Sequence, residues 1–261
     1  MPILKPPRGS IIDYSNPISR GLVGCWIMNE GTGSKVYDLS GNHYDGTLTD
    51  MEEVDWRPEG LYFGGWTSND HAITPYYPDL RDPFTLLYNI KYSSTGDNQL
   101  IGSHDGSNRC YLGIYVDKFS YGAGDSFDNT TITHGFSVGE WHQLCLKCSG
   151  TIAALCVDGV LRGFFSYTSS GASTLPLWLG DRNYSASRAN VTGTIGYAYI
   201  YDHYVRESNE NSLYFDPYQI IKQPDYHKNT TYFLPFPIGV HPFSSLLTHG
   251  GMQDFTGGIN A

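Results

Sequence analysis

Short apolar runs, separated by small turn-forming residues, make up most of the chain. Val, Ile, Tyr, Phe and Trp recur in these runs, and Gly, Asn, Asp and Ser lie between them. This pattern is typical of an all-β sandwich or barrel rather than of a helical bundle. It predicts strands over residues 22–28, 46–49, 61–63, 83–92, 99–103, 110–116, 118–121, 141–148, 152–157, 160–165, 177–180 and 193–201.

The clearest local signal is a hairpin in the second half of the chain. Asp158-Gly159 stands between two apolar runs, and this dipeptide favours a two-residue type I′ turn. One short helix is predicted over residues 206–215, with Ser208 as its N-cap. Asp216-Pro217 follows, and a residue before proline disfavours helical geometry, so the helix should end there.

Both ends of the chain differ from the strand-rich middle, residues 21–221. Residues 1–20 are rich in proline and lack periodicity, which predicts an extended lead-in. Residues 222–261 are apolar but interrupted by prolines, which cannot take a place inside a β-ladder. We expect an extended arm that lies on its own domain or on a neighbouring subunit. Its candidate docking residues are Tyr232, Phe233, Phe236, Phe243 and Phe255.

The charge balance excludes two classes of partner. The formal net charge is −10, whereas binding of nucleic acid requires clustered Lys and Arg to neutralise phosphates. The same acidity disfavours an anionic membrane surface. No apolar run approaches the roughly 20 residues that span a bilayer, and the N-terminus lacks a secretory signal pattern. We therefore expect neither a nucleic-acid nor a membrane partner.

The five cysteines do not predict a disulfide framework, because their number is odd and their spacing irregular. Cys145 and Cys148 are spaced like a metal or redox pair, but they lie within one predicted strand. Residues three apart on a strand point to opposite faces. The two thiols are therefore predicted to be small core residues rather than shared ligands.

The chain carries several short sequence blocks in a definite order. The blocks are Gly21-Leu-Val-Gly-Cys-Trp26, Asp38-Leu-Ser-Gly-Asn42, Leu61-Tyr-Phe-Gly-Gly65, Gly139-Glu-Trp-His142, Val157-Asp-Gly-Val-Leu161 and Gly193-Thr-Ile-Gly-Tyr197. Their order resembles laminin-G-like (concanavalin A-like) jelly-roll domains. The resemblance covers most of residues 18–221 and implies an all-β, jelly-roll sandwich of two antiparallel sheets, with extended N- and C-terminal arms. The flanks over residues 13–22 and 216–221 look most like versions found in bacteriophage structural proteins.

Carboxylates suited to sugar hydrolysis are not evident. Glu53, Asp55 and Glu59 cluster in sequence, but Glu53 and Glu59 would lie about 20 Å apart on a straight strand. Retaining glycosidases hold their two carboxyl groups about 5–5.5 Å apart, and inverting ones about 6.5–9.5 Å apart. Pro58 also interrupts any strand there. We therefore predict that the chain is not an enzyme and has no catalytic residues.

One loop carries hard oxygen ligands. Asp38, Asn42 and Asp45 lie close together in a Gly-containing loop, and Ca²⁺ takes six to eight oxygen ligands. The resemblance implies that such a loop can hold structural calcium, although Gly196-Tyr197 stands where many relatives carry an Asp-Glu pair. The alternative is an Asx-turn, in which the same side chains bond their own backbone.

Aromatic and polar residues in predicted loops form a candidate ligand site. Such rings with nearby amides and carboxylates suit a carbohydrate, and loops on a rigid sandwich commonly carry binding sites. A Tyr-rich surface suits a protein contact equally well. The aromatic candidates are Trp66, Tyr76, Tyr77 and Tyr184, and the polar ones are Asn69, Asp70, Asp181 and Asn183.

These observations lead to one main functional hypothesis and two alternatives. The main one is a non-enzymatic structural protein of a phage virion, of the head-decoration or fibre type. It would dock through its arms onto other virion proteins or onto copies of itself. The alternative is a lectin-like module that binds cell-surface glycans, with calcium as an optional ligand. The remote alternative is a glycoside hydrolase that would lose activity on Glu53→Gln.

Overall fold

Two antiparallel β-sheets, stacked face to face, carry the described part of the chain. The structure is a computed structural model that describes residues 5–52, 55–65, 69–94, 99–128, 131–183 and 190–222. The chain divides into two units, residues 1–224 and 225–261, and the second lies outside the described residues. The predicted docking residues Tyr232, Phe233, Phe236, Phe243 and Phe255 therefore lie outside the described part as well.

Nineteen strands and one α-helix are present in the described residues, in addition to a 3₁₀ turn at Pro17–Ser19. In chain order they are β1 (Ile11–Ile12), β2 (Leu22–Trp26), β3 (Lys35–Val36), β4 (Gly46–Thr49), β5 (Trp56–Arg57), β6 (Gly60–Gly64), β7 (His71–Ile73), β8 (Phe84–Tyr92), β9 (Gln99–Ser103), β10 (Arg109–Tyr115), β11 (Lys118–Gly124), β12 (Ser126–Asp128), β13 (Trp141–Cys148), β14 (Ile152–Val157), β15 (Val160–Ser166), β16 (Trp178–Leu179), β17 (Arg182–Asn183), β18 (Thr192–Tyr201), α1 (Glu207–Phe215) and β19 (Ile221–Lys222).

The strands fall into two large sheets and one small pair. The first sheet, which we call the open sheet, has the order β12-β11-β10-β9-β16-β7-β4-β3, with β17 beside β9. The second, which we call the covered sheet, has the order β15-β14-β13-β8-β18-β6-β5, with β2 beside β18. The strands β1 and β19 pair with each other. This arrangement confirms the predicted all-β, concanavalin A-like sandwich.

The main core lies between the two sheets and follows from the two-residue period of the strands. In β8, Phe84, Leu86 and Tyr88 point into this core, together with residues such as Leu112 of β10 and Leu146 of β13. Each of these side chains is 2% exposed or less. The alternate residues of the covered sheet point the other way, so that sheet requires a second layer of cover.

That cover comes from the chain ends and the helix. Leu87, Cys145 and Tyr199, on the outer face of the covered sheet, form a second buried cluster with Ile12 of the lead-in and Leu213 of α1. The helix is also tied to the sheet by an ion pair between Glu210 and Lys147, whose side chains are 1% and 5% exposed. The covered sheet is therefore buried on both faces over much of its area.

The lead-in is held by specific contacts. The Lys5 ammonium donates to the carbonyls of Ile27, Met28 and Gly196 at 2.5, 2.8 and 2.8 Å. Farther along, Asp13 pairs with Lys222 at 2.8 Å, next to the β1–β19 ladder. The described residues of the lead-in thus belong to the same folded unit as the sandwich.

Local predictions have mixed outcomes. Asp158 and Gly159 have φ of 53° and 74° and join paired strands, which confirms the type I′ hairpin. Cys145 and Cys148 lie in opposite cores, and all five cysteines are buried and free. The predicted Ser208 cap is wrong, because the helix begins at Glu207 and the carbonyl of Arg206 accepts its first hydrogen bonds.

Within the described residues, no helix has the length and hydropathy needed to cross a membrane.

Candidate functional site

The outer face of the open sheet carries a continuous line of residues, which we call the central row. Each member pairs in register with the next on the neighbouring strand, and their chain neighbours Ala72, Ile101 and Leu179 point into the main core. The row consequently faces away from the core. Its members, from β4 to β12, are Thr47, Ile73, Trp178, Gly102, Tyr111, Gly122 and Phe127.

Trp178 is held rigidly in this row. Its indole stacks on the imidazole of His71, with ring centroids 4.0 Å apart and an interplanar angle of 10°. His71 is 3% exposed, and its Nδ1 lies 2.7 Å from the carbonyl of Asn69. The Trp178 Nε1–H is buried and meets no acceptor among the described residues. Buried donors without a partner are uncommon in folded proteins, so this one requires a structural explanation.

Tyr111 forms the floor of the row because its neighbours on both sides are glycines. A Cβ at Gly122 would lie 2.5 Å from Tyr111 Cε1, and one at Gly102 would lie 2.6 Å from Tyr111 Cβ. The glycines therefore leave the space that the Tyr111 side chain occupies, and Tyr111 is only 2% exposed. Since adjacent strands are about 4.8 Å apart, the backbones of Trp178 and Tyr111 are about 10 Å apart.

Two arginines border this floor. The Arg182 guanidinium carbon lies 5.4 Å from the Tyr111 ring centroid, and Arg182 itself pairs with Gly102 from β17. The Arg109 guanidinium carbon lies 4.5 Å from the ring centroid of Phe127, which is 62% exposed. Two cations thus lie beside aromatic rings on this face, with Asp105 and Asp181 close by.

His104 fixes one of these arginines. The Arg109 Nε–H donates to His104 Nε2 at 2.8 Å, which requires that nitrogen to be unprotonated. Burial, followed by the charges of Arg182 and Arg109, lowers the pKa of His104 to about 4, while the charge of Asp105 opposes this shift. His104 is thus neutral near pH 7 and serves as a hydrogen-bond acceptor for Arg109.

The predicted polar residues converge at one end of this sheet. Asp70 is 3% exposed and its Oδ2 accepts from the Gly64 N–H at 2.7 Å. Asp181 is 1% exposed and its Oδ1 accepts from the Arg182 N–H at 2.7 Å. Asn69 donates from its amide to the Asp50 carboxylate, and Asn183 pairs with Ser103 through β17. The two aspartates shape the turns around the row rather than extend into solvent.

The predicted aromatic residues are not brought together by the described structure. Tyr76 packs on Tyr44 and Phe84 beyond the other end of β7, and burial raises its pKa. Tyr77 follows it and is 51% exposed. The described part of the chain does not include Trp66, Tyr184 or the side chain of Asn183. Of the eight candidates, the three described polar side chains lie beside the row, and Tyr76 and Tyr77 do not.

Sequence reasoning missed the central residues of the site. The candidates from the sequence did not include Trp178, Tyr111, Arg109, Arg182 or Phe127. For Tyr111 a signal existed, because Cys110 and Leu112 are apolar core residues and alternation places Tyr111 on the opposite face. No comparable signal could reveal that β16 lies beside β9, since that neighbourhood depends on sheet topology.

The predicted calcium loop has a well-defined hydrogen-bond network. The Asp38 carboxylate accepts from the backbone N–H groups of Cys25, Ser40 and Tyr44 at 2.9, 2.9 and 3.0 Å, and from the Ser40 hydroxyl at 2.7 Å. Asp45 accepts from the Asp38 N–H at 3.0 Å, and the Asn42 amide donates to the Val23 carbonyl at 3.0 Å. The bond from the Ser40 N–H to Asp38 forms the Asx-turn that was the alternative to a calcium site.

This network does not favour a bound ion, because protein donors already engage the Asp38 oxygens. Within the described residues, no three His, Cys, Asp or Glu side chains cluster closely enough to hold a metal ion. Calcium binding at this loop stays a prediction. The expectation that the chain has no catalytic residues also stays a prediction, because Glu53 lies outside the described residues.

Solved structures with a similar fold include enzymes and toxin domains. A Trypanosoma rangeli sialidase in complex with sialic acid has a TM-score of 0.59 and 15% identity, covering 77% of this chain and 33% of that one. The binding domain of botulinum neurotoxin DC in complex with rat synaptotagmin II has a TM-score of 0.54 and 10% identity, covering 76% and 52%. The chain thus spans a third of the sialidase and about half of the toxin domain. No curated protein sequence matches it.

These similarities correct the main functional hypothesis. The predicted phage structural role is wrong, because the similar structures are sialidases and a toxin binding domain. The predicted virion location and virion partners are not supported by these structures. They agree better with the alternative hypothesis of a lectin-like module. At this level of identity the similarity shows the fold alone.

Three of the six blocks noted in the sequence, over residues 139–142, 157–161 and 193–197, lie within a family match. Residues 66–210 match the concanavalin A-like lectin/glucanase superfamily. The most specific blocks meet in the structure, where His142 Nδ1 lies 2.7 Å from Asp158 Oδ2 and the Gln143 N–H donates to Asp158 Oδ1 at 2.8 Å. Because the match covers more than half of the chain, the protein belongs to the concanavalin A-like lectin/glucanase superfamily.

Proposed function

We propose that the protein is a carbohydrate-binding module that binds a glycan on the outer face of the open sheet. The central row supports this proposal, because it places Trp178, Tyr111 and Phe127 in one line across the strands. The opposite side of the sandwich is less suitable, since the lead-in and α1 bury much of the covered sheet. Along the row on the open sheet, Thr47 and Phe127 are exposed and Trp178 is partly exposed, whereas Tyr111 is only 2% exposed, so a ligand can reach Trp178 and the two ends of the row.

The chemistry of the row suits a sugar. Ligand sites combine apolar and aromatic walls with a few polar groups that fix orientation. Trp178 supplies a partly exposed ring that is held by His71 and can stack on a sugar. Arg109 and Arg182 supply guanidinium donors, which match carboxylates and other oxygen acceptors. Acid-bearing glycans are therefore the first ligands to test, and the sialic acid bound by the sialidase is one of them.

A glycan array followed by calorimetry tests the proposal. We expect selective binding of acidic glycans by the full chain. Trp178→Ala should weaken that binding by about tenfold or more, equal to about 1.4 kcal/mol. Phe164→Ala is the matched control, because Phe164 is an exposed aromatic residue on the covered sheet, 70% exposed in β15. The Phe164→Ala variant should bind the glycan with the same affinity as the unchanged chain.

Two results would contradict the proposal. The first is that no glycan on the array binds. The second is that the folded Trp178→Ala and Arg182→Ala variants both bind a glycan as tightly as the unchanged chain does. Arg182→Lys keeps the charge but loses the planar fork, so intermediate affinity would indicate bidentate recognition. Repeating the array with a chelator tests calcium, since loss of binding would support an ion at the Asp38 loop.

A further inference from the structure

Three backbone carbonyls converge on one point near the start of the lead-in. The carbonyl oxygens of Ile27, Met28 and Gly196 lie 2.5, 2.8 and 2.8 Å from the Lys5 Nζ. We call these three carbonyls the carbonyl cradle. Its residues are buried, and Ile27 and Met28 are each only 1% exposed. The Lys5 ammonium thus occupies the centre of a group of backbone oxygens.

The backbone has an irregular conformation at two residues of the cradle. Met28 has φ of 50°, in the left-handed region that residues other than glycine rarely adopt. Gly196 is the extra residue of a β-bulge, because the register between β18 and β8 shifts between Ile195 and Tyr197. Irregular positions of this kind occur often at ligand sites, where the surrounding structure holds them in place. The cradle is therefore a local departure from the regular strands.

The chemistry of the cradle indicates a cation of about the size of an ammonium group. Carbonyl oxygens bind potassium ions in channel filters by replacing the hydration shell of the ion. Calcium takes its oxygen ligands at about 2.3–2.6 Å and magnesium at about 2.0–2.1 Å, and both ions favour carboxylates. Two of the three oxygens in the cradle lie at 2.8 Å, which is too long for either divalent ion. A monovalent cation of potassium size fits these distances better.

Charge and access determine how strongly a free ion would bind here. The negative charges of Glu30 and Glu59 act on the Lys5 ammonium, so they would attract a free cation as well. A hollow of about 380 Å³ borders Lys5 and gives an ion a route from solvent. Arg8 and Arg57 also line this hollow, and their repulsion should keep the affinity modest. Potassium is therefore best titrated over the millimolar range and above.

We propose that the carbonyl cradle is a site for a monovalent cation of potassium size, and that Lys5 fills this site from within the chain. Free potassium and the lead-in then compete for the same three oxygens. A tethered group has an effective concentration of about millimolar, so excess potassium displaces Lys5 and loosens the start of the lead-in. The cradle belongs to the covered sheet, whereas the central row lies on the open sheet, so this inference does not rest on the proposed function.

NMR titration of the ¹⁵N-labelled full chain and of its Lys5→Met variant tests this inference. The probe is potassium chloride, and the comparisons are calcium chloride and choline chloride at equal ionic strength. In Lys5→Met we expect potassium, and not choline, to give saturable shifts at the amides of Met28, Asn29 and Tyr197, whose peptide groups contain the three carbonyls. The unchanged chain should need about tenfold more potassium, because Lys5 competes. Lys35→Met is the matched control, since Lys35 is an exposed lysine on β3, and it should titrate like the unchanged chain.

Several results would overturn the inference. Potassium could leave the three amides of folded Lys5→Met unshifted, choline could shift them equally, or calcium could shift them where potassium does not. Equal potassium affinity of Lys5→Met and the unchanged chain would show that Lys5 does not compete for the cradle. If Lys5→Met does not fold, the unchanged chain decides, because excess potassium, and not choline, should shift the same amides together with that of Lys5. Equal effects of the two salts would again refute the site.

Discussion

At the scale of single residues, the open sheet depends on a histidine that stays uncharged. His104 accepts a hydrogen bond from Arg109 at 2.8 Å and lies edge-on to Tyr111, with ring centroids 5.3 Å apart. Burial and the two neighbouring arginines lower its pKa to about 4. Protonation of His104 would remove the acceptor and place a third cation beside Arg109 and Arg182.

This arrangement predicts a specific loss of stability in acid. The pKa of histidine is about 6.5 in an unfolded chain, so between pH 6.5 and 4 the unfolded state binds more protons than the folded state. The free energy of unfolding should therefore fall as the pH falls through this window, by on the order of 2 kcal/mol from His104. Urea unfolding at pH 7 and pH 4.5 measures it.

His104→Gln provides the comparison, because glutamine keeps a hydrogen-bond acceptor but does not titrate. The variant should lose less stability than the unchanged chain between pH 7 and pH 4.5. Equal losses in both proteins would show that His104 contributes nothing to the acid sensitivity.

At the scale of elements, the register between β10 and β11 determines the floor of the proposed glycan site. Tyr111 lies opposite Gly122, and the glycine leaves the space that the Tyr111 ring occupies. Gly122 needs no unusual backbone conformation, so its role is this close approach. A register shift of one residue would place Tyr121, which belongs to the main core, on the outer face.

Gly122→Ala tests this role. The added Cβ would meet Tyr111 Cε1 at 2.5 Å and Arg109 Cβ at 3.0 Å, so the Tyr111 ring must move. We expect a loss of about 1–3 kcal/mol in stability, as for other overpacked positions, and weaker glycan binding. Gly171→Ala is the control, because nothing lies within 4 Å of its Cβ position. Thermal unfolding and calorimetry should distinguish the two variants, and equal behaviour would refute the role of the close approach.

At the scale of the whole molecule, the lead-in completes the second core. Ile12 of β1 is 5% exposed and belongs to the cluster that covers Leu87 and Tyr199. Its neighbour Ile11 is 62% exposed, because successive strand residues point to opposite sides. The lead-in is consequently part of the folded unit rather than a free arm.

The two isoleucines form a matched pair for testing this role. Ile12→Ala should lower the free energy of unfolding by about 2–4 kcal/mol, since buried Ile→Ala changes typically cost that much. Ile11→Ala should change it by less than about 0.5 kcal/mol, as is usual for exposed positions. Guanidinium unfolding measures both. A similar small change in the two variants would show that the lead-in adds little to the stability of the sandwich.

The alternation of apolar and polar residues and the residue preferences of turns act over short stretches of chain. The sequence alone therefore determined the all-β class, the strand at 141–148 and the Asp158-Gly159 hairpin. It also placed Cys145 and Cys148 on opposite faces. Tertiary structure alone decided that β16 lies beside β9, which aligns Trp178 with Tyr111, and that the lead-in folds back to place Lys5 against Gly196. Such neighbours are distant along the chain, and their contact depends on how whole sheets pair and on which apolar faces remain to be covered.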